Sequence, residues 1–123
     1  MVLYPEVMKQ AQEELDRLVG KHRLPEFSDR EDLIYIDAIM KELLRWAPPL
    51  PFCVPNRTAQ GDVYRGYYIP AGATVIQNIW AVFRDPTLYP DPEVFNPGRF
   101  LKDGKIDPLV FNPEDRAFGI GRR

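Results

Sequence analysis

The stretch Glu42-Leu43-Leu44-Arg45-Trp46-Ala47-Pro48-Pro49 poses the question on which the fold turns. A carboxylate and a guanidinium stand three residues apart, close enough to pair on a helix. Pro48-Pro49 ends that helix, because a residue before proline avoids the helical region of backbone space. The same spacing recurs at Glu14-Leu15-Asp16-Arg17, where it reads as a solvated face contributing only ~0.2–0.5 kcal/mol. The surroundings differ. Leu33, Ile36, Met40 and Leu43 form one stripe on the second helix, while Tyr35, Ala38 and Trp46 lie on the opposing side. Only Asp37, Lys41, Glu42 and Arg45 are strongly polar in its second half. A helix apolar on nearly all sides is usually buried, and buried ions are costly unless fully hydrogen-bonded. The pair is either one more exposed contact or the centre of a buried polar cluster, and spacing alone leaves both open.

Upstream, Ser28-Asp29-Arg30-Glu31 fits a capping box. It predicts a helix with a break near Tyr35 that runs to about Trp46. An earlier helix is predicted from Pro5 to Val19, with Val7, Ala11, Leu15 and Leu18 at helical spacing and Gly20 as its stop. Downstream, Phe52–Val54 reads as a short strand. Tyr67-Tyr68-Ile69 and Thr74-Val75-Ile76 flank Pro70-Ala71-Gly72 as a hairpin or tight strand connection, and Trp80–Phe83 reads as a helical turn. From Arg84 onward regular patterns fade. Loops beyond about 12–15 residues are uncommon in a compact domain, so this segment is expected to lie on a larger body than the chain contains.

Composition narrows the classes. The chain has 123 residues, 45% of them hydrophobic, and a formal net charge of −2 with the signs well mixed. A basic face for nucleic acid is therefore not expected. One cysteine, Cys53, and one histidine, His22, exclude an internal disulfide framework and a zinc finger. No run approaches the ~18 apolar residues of a membrane span, and MVLYPEVMKQ lacks a secretory signal pattern. Proline is the outlier: 13 residues, about twice the usual share. They crowd the second half at Pro86, Pro90, Pro92, Pro97, Pro108 and Pro113. The last six residues, Phe118-Gly119-Ile120-Gly121-Arg122-Arg123, form a glycine-rich turn with two cations, a pattern that usually holds an anion against its backbone.

Seven motifs stand in order: Glu42-x-x-Arg45, Trp46-Ala47-Pro48-Pro49, Pro55-Asn56-Arg57, Tyr68-Ile69-Pro70-Ala71-Gly72, Arg84-Asp85-Pro86, Phe95-Asn96-Pro97-Gly98-Arg99-Phe100 and Phe118-Gly119-Ile120-Gly121-Arg122-Arg123. No one of them is decisive. Together they are highly specific, and the chain from Pro5 to its last residue resembles the C-terminal third of a cytochrome P450, a haem-thiolate monooxygenase of the eukaryotic microsomal and fungal type. The resemblance implies a mainly α fold with a small β portion: J- and K-type helices, short strands, a Pro-rich meander and the start of the haem-binding loop. Residues 1–123 would then be an incomplete, C-terminal part of a single domain. The implied activity inserts one oxygen atom from O2 into a hydrophobic organic substrate. The implied cofactor is haem, with electrons from NADPH delivered by NADPH-cytochrome P450 reductase. The parent is expected at the endoplasmic reticulum membrane through an anchor outside this piece, which itself has no membrane span and would be soluble or aggregated.

The resemblance also assigns positions. Glu42 and Arg45 match the K-helix pair, and Arg99 completes a buried cluster with them. Gly98 stands where many members have glutamate, so the resemblance does not carry over that auxiliary contact. Arg57 and Arg123 match arginines that face the haem propionates. Phe118, Gly121 and Arg123 fill the first three fixed positions of the haem-binding loop. Leu50, Pro51, Phe52, Cys53 and Val54 match a segment bordering the substrate pocket. Cys53 is not the haem ligand by this alignment and reads as a small buried hydrophobe. The axial cysteine is expected two residues after Arg123, so 1–123 holds no metal ligand and no catalytic residue, and the piece alone is expected to be inactive. Phe95, Phe100, Trp80 and Phe118 are expected to lack partners in it. Two other readings remain: a non-catalytic interaction or structural module derived from a monooxygenase, and an anion-binding protein using the terminal Gly-x-Gly-Arg-Arg, which no helix follows.

Overall fold

The computed structural model describes residues 2–118. Pro5 opens helix α1 (Pro5–Leu18) at the first position, where its missing N–H costs nothing. Val7, Ala11 and Glu14 are the buried residues of α1. The chain then crosses an exposed connector to a 3₁₀ turn at Phe27–Asp29. The capping box expected at Ser28 and Glu31 forms two residues earlier. Glu26 and Asp29 cap each other there, with the Glu26 N–H 2.8 Å from Asp29 Oδ2. The cause is local: Arg23 grips the Asp29 carboxylate at 2.7 Å through both of its terminal nitrogens.

Helix α2 (Ile34–Trp46) begins without a cap of its own. Glu14 of α1 supplies the acceptors instead, taking the N–H of Tyr35 at 2.9 Å and of Ile36 at 3.0 Å. Those two donors belong to the group that an α-helix leaves unsatisfied at its start. Glu14 is therefore only 8% exposed and does not sit on the solvated face that its spacing to Arg17 implied. At the other end the helix stops before Pro48, with the Ala47 N–H reaching Leu43 O at 2.9 Å.

The strands are short and pair in twos. β1 (Asn56–Arg57) runs antiparallel to β4 (Thr74–Val75), with Arg57 opposite Thr74, and encloses the hairpin of β2 (Asp62–Tyr64) and β3 (Tyr67–Ile69). The two strands beside Pro70-Ala71-Gly72 thus belong to different sheets and do not pair with each other. The reason lies at Arg65-Gly66, where φ is 51° and 84°. Two consecutive left-handed residues make the turn that suits a two-residue hairpin. Phe52–Val54 is not a strand, since Pro51 and Pro55 interrupt any ladder. It is tied instead by Cys53 N–H to Gln77 O at 3.0 Å and by Trp80 N–H to Pro51 O at 2.9 Å. Helix α3 (Ile79–Phe83) follows, capped by the Asn78 side chain.

Beyond Arg84 the chain is irregular but anchored. It forms a 3₁₀ turn at Pro97–Phe100, a hairpin of β5 (Leu101–Lys102) and β6 (Lys105–Ile106), and a short helix α4 (Glu114–Ala117). Two cores flank α2. One joins Ala38 to Ile79, Phe83, Tyr89, Phe100 and Ala117. The other joins Tyr35 and Ile39 to Val7, Ala11 and Phe95. Phe95 and Phe100 therefore do find partners within this chain, on the broad face of α2 that carries Tyr35, Ala38 and Ile39. Met40 and Leu43 of the opposing stripe remain 54% and 43% exposed. Trp80 and Phe118 remain 46% and 80% exposed. The architecture is helices with small strands, as the fold class implied. Among the described residues no helix is long and apolar enough to cross a membrane.

Candidate functional site

The pair that opened the sequence question lies at the centre of the molecule. Glu42 and Arg45 are both 0% exposed. The Glu42 carboxylate accepts four hydrogen bonds: Arg45 Nε at 2.7 Å, Arg45 Nη2 at 2.8 Å, Asn96 N at 2.8 Å and Arg99 Nε at 3.2 Å. Four is about the full acceptor capacity of a carboxylate. Arg45 uses all five of its N–H donors, adding Phe83 O at 3.0 Å, Pro92 O at 2.8 Å and Val94 O at 3.3 Å. Arg99 reaches the carbonyls of Pro90 at 2.6 Å, Asp91 at 3.2 Å and Val94 at 3.0 Å. The chemistry follows from proline. A Pro-rich segment keeps its carbonyls but loses N–H donors, so it has acceptors in excess, and two planar guanidiniums supply the missing donors. Asp91 adopts φ 48°, a left-handed conformation that an aspartate tolerates, and its carbonyl is one of those that Arg99 takes. The Tyr89 ring lies against Arg45, with 5.4 Å from guanidinium to ring centroid, and its burial pushes the phenol well above the usual tyrosine range.

Two further cations hold α2, and spacing did not single them out. Arg84 donates from Nη2 to Trp46 O at 2.9 Å and from Nη1 to Arg45 O at 3.5 Å, while stacking 4.1 Å from the Trp80 centroid. A guanidinium at a helix C-terminus also meets the negative end of the macrodipole. Its Nε lies 3.1 Å from the Glu93 carboxylate but off the hydrogen-bond line. Lys41, 8% exposed, places its ammonium 2.9 Å from Glu114, 3.2 Å from Asn112 Oδ1 and 3.8 Å from Asp37. That hydrogen bond holds the Glu114 carboxyl below the usual glutamate range. It ties α2 to α4, whose C-cap is Phe118. Lys41's hydrogen-bond partners Asn112 and Glu114 lie more than seventy residues away in the chain, so no local pattern pointed to them.

Arg57 stands apart from these clusters. It is exposed, and its Nε donates to Gly72 O at 3.2 Å. Among the described residues no carboxylate pairs with it, and its two terminal nitrogens have no hydrogen bond. Before it in the chain, Leu50, Phe52 and Val54 are 56%, 52% and 73% exposed, while Cys53 is half-buried with its thiol 3.4 Å from Gln77 Oε1. Pro51 is exposed. An exposed guanidinium with unused donors can take a carboxylate by its open edge, and exposed apolar side chains can take an apolar group; haem, which the resemblance implies, offers both. Gly121 and Arg123 lie outside the described residues. His22 is exposed on the connector. The structure thus joins Glu42, Arg45 and Arg99, and leaves Arg57 and the segment 50–54 outside that cluster.

Comparison with known proteins identifies the setting. The family model described as Cytochrome P450 matches residues 1–123. A cytochrome P450 monooxygenase of Armillaria gallica is 52% identical over 124 residues, covering 100% of this chain and 24% of its own length. A cytochrome P450 monooxygenase of Coprinopsis cinerea is 48% identical over 123 residues, covering 100% of this chain and 23% of its own length. The tryptamine 4-monooxygenase of Psilocybe cyanescens is 49% identical over 125 residues, covering 100% of this chain and 25% of its own length. The chain spans about a quarter of the length of these curated relatives. With its motifs in order and a family match along its whole length, this chain belongs to the cytochrome P450 family.

Proposed function

We propose that residues 1–123 form the part of a haem monooxygenase that fixes the propionate side of the cofactor and one wall of the substrate pocket. The observation that carries this reading is Arg57: an exposed guanidinium held by one backbone bond, whose terminal nitrogens have no hydrogen bond among the described residues. Leu50, Phe52 and Val54, a few residues earlier in the chain, are exposed as well. Arg57 and Arg123 would hold the two propionates, since guanidinium is always charged and binds carboxylates bidentately. Phe118 and Gly121 would begin the loop that carries the axial cysteine, expected two residues after Arg123. When bound, haem with its thiolate ligand supplies the oxygen chemistry. Leu50, Pro51, Phe52, Cys53 and Val54 would exclude water and orient a hydrophobic substrate. The Glu42–Arg45–Arg99 cluster would keep the Pro-rich segment in place below them. The whole protein would insert one oxygen atom from O2, take electrons from NADPH through a reductase, and reside at the endoplasmic reticulum membrane. The segment 1–123 by itself would not turn over.

The test is a full-length chimera in which this chain replaces the matching segment of the Armillaria gallica relative. One haem per chain, and labelled O2 appearing in the product of that relative's reaction, are expected. Replacing Arg57 with alanine should lower haem occupancy without unfolding the protein. A folded chimera that takes up no haem would overturn the reading.

A further inference from the structure

We infer that Gly72 and Thr58 are positioning residues for the Arg57 guanidinium, and through it set how firmly haem carboxylates are held. The inference rests on the reading of Arg57 proposed above. Gly72 has φ +78°, and a Cβ added there would fall 2.9 Å from Arg57 Nη2 and 3.2 Å from its Nε. The guanidinium thus occupies the space that a side chain would take. The Gly72 carbonyl binds Arg57 Nε at 3.2 Å, which fixes the fork by one edge and leaves both terminal nitrogens for an anion.

Gly72 is itself held by one residue. Its N–H reaches Thr58 O at 2.9 Å, and the Thr58 N–H reaches Ala73 O at 3.0 Å. The Thr58 hydroxyl donates to Pro70 O at 2.8 Å and accepts from the Ala73 N–H at 2.9 Å. One half-buried hydroxyl therefore serves as donor and acceptor within the same turn, the turn whose carbonyl orients Arg57. The device needs glycine at 72 for its positive φ and for the close approach. It needs a hydroxyl at 58 in both of its roles.

The experiment measures haem transfer to excess apomyoglobin from the haem-loaded full-length chimera. Gly72→Ala should displace the flexible guanidinium and speed haem loss by about tenfold, the scale of one charge-assisted hydrogen bond. Thr58→Val should speed it in the same direction, and Thr58→Ser should restore the slow rate. The deciding comparison repeats each change in an Arg57→Ala background. A positioning role predicts that Gly72→Ala and Thr58→Val then add nothing, because they act through a side chain already removed. Additive effects in that background would overturn the inference while leaving the reading of Arg57 intact. A folded wild-type chimera without haem would overturn that reading and the inference with it. If Gly72→Ala fails to fold, the Thr58 pair in the two backgrounds decides.

Discussion

At Glu42 four donors converge on one carboxylate and nothing is left over. Removing it leaves Arg45, 0% exposed, with a buried charge and two broken bonds. Glu42→Ala should therefore cost about 3–5 kcal/mol, read as a lower denaturant midpoint together with loss of haem in the full-length protein. An unchanged midpoint would refute the cluster's role. Glu14 makes the sharper lesson. Its i,i+3 spacing to Arg17 matches that of Glu42 to Arg45, and by spacing alone Glu14→Ala would do almost nothing. In the fold Glu14 accepts two backbone N–H groups at the start of α2, so the same change should cost about 1–3 kcal/mol. Glu14→Gln, which keeps one acceptor, should cost less. The identity of such residues is legible in a sequence, but their partners are not. A carboxylate does not announce whether it faces water or the bare end of a helix twenty residues away.

Helix α2 illustrates the element scale. Its N-terminus is met by the carboxylate of Glu14 and its C-terminus by the guanidinium of Arg84, each the sign that the macrodipole favours. Arg84→Ala should cost about 1–2 kcal/mol through lost carbonyl bonds and the lost stack on Trp80. Arg84→Lys should recover only part of it, lacking the planar fork. The tether from Lys41 to Glu114 adds a pH dependence of known sign. The Lys41 hydrogen bond lowers the Glu114 carboxyl below its ordinary value of 4.5 in the folded state. Its contribution is present above that value and is lost as pH falls through the lower folded one. The unfolding midpoint of the wild type should thus fall more steeply below pH 4.5 than that of Glu114→Gln. Asp29, lowered to about 2 by Arg23, and Asp85, lowered by Thr87, move in the same direction in both proteins and cancel. The helices were legible because 3.6-residue periodicity and flanking prolines are local signals. The β5–β6 hairpin had a local signal too, Asp103-Gly104 with φ 51° and 74°, which scattered aromatics around it obscured. The pairing of β1 with β4 across a nested hairpin is non-local and had none.

For the whole molecule, the two cores share a single helix, and that organisation decides which aromatics matter. Phe100, 1% exposed, should cost about 3–5 kcal/mol on replacement by alanine, whereas Trp80, 46% exposed, should act mainly through its stack with Arg84. The sequence expectation that the Pro-rich segment lacked partners failed here. Phe95 joins the cluster of Tyr35 and Ile39 and Phe100 that of Ala38, contacts that no periodicity within the segment itself encodes. Apolar surface nevertheless remains open at Phe27, Leu50, Phe52, Val54, Tyr67 and Tyr68, more than scattered single residues would present. The 123-residue chain should therefore bind an apolar dye strongly, and the full-length chimera should bind far less. Equal binding by the two would show that this surface is not covered in the longer protein.

The reach of Arg99 back to Glu42, 57 residues along the chain, has a consequence for synthesis. On the ribosome Glu42 and Arg45 emerge well before Pro92, Val94 and Arg99, and the nascent helix must keep both charges in water until those carbonyls and that second guanidinium arrive. The cluster can close only at the end, after the entropy of a long loop has been lost. Its stabilisation then falls on the native side of the folding barrier. Substitutions in it should accelerate unfolding far more than they slow folding, so the cluster acts as a late latch that lengthens the lifetime of the finished protein.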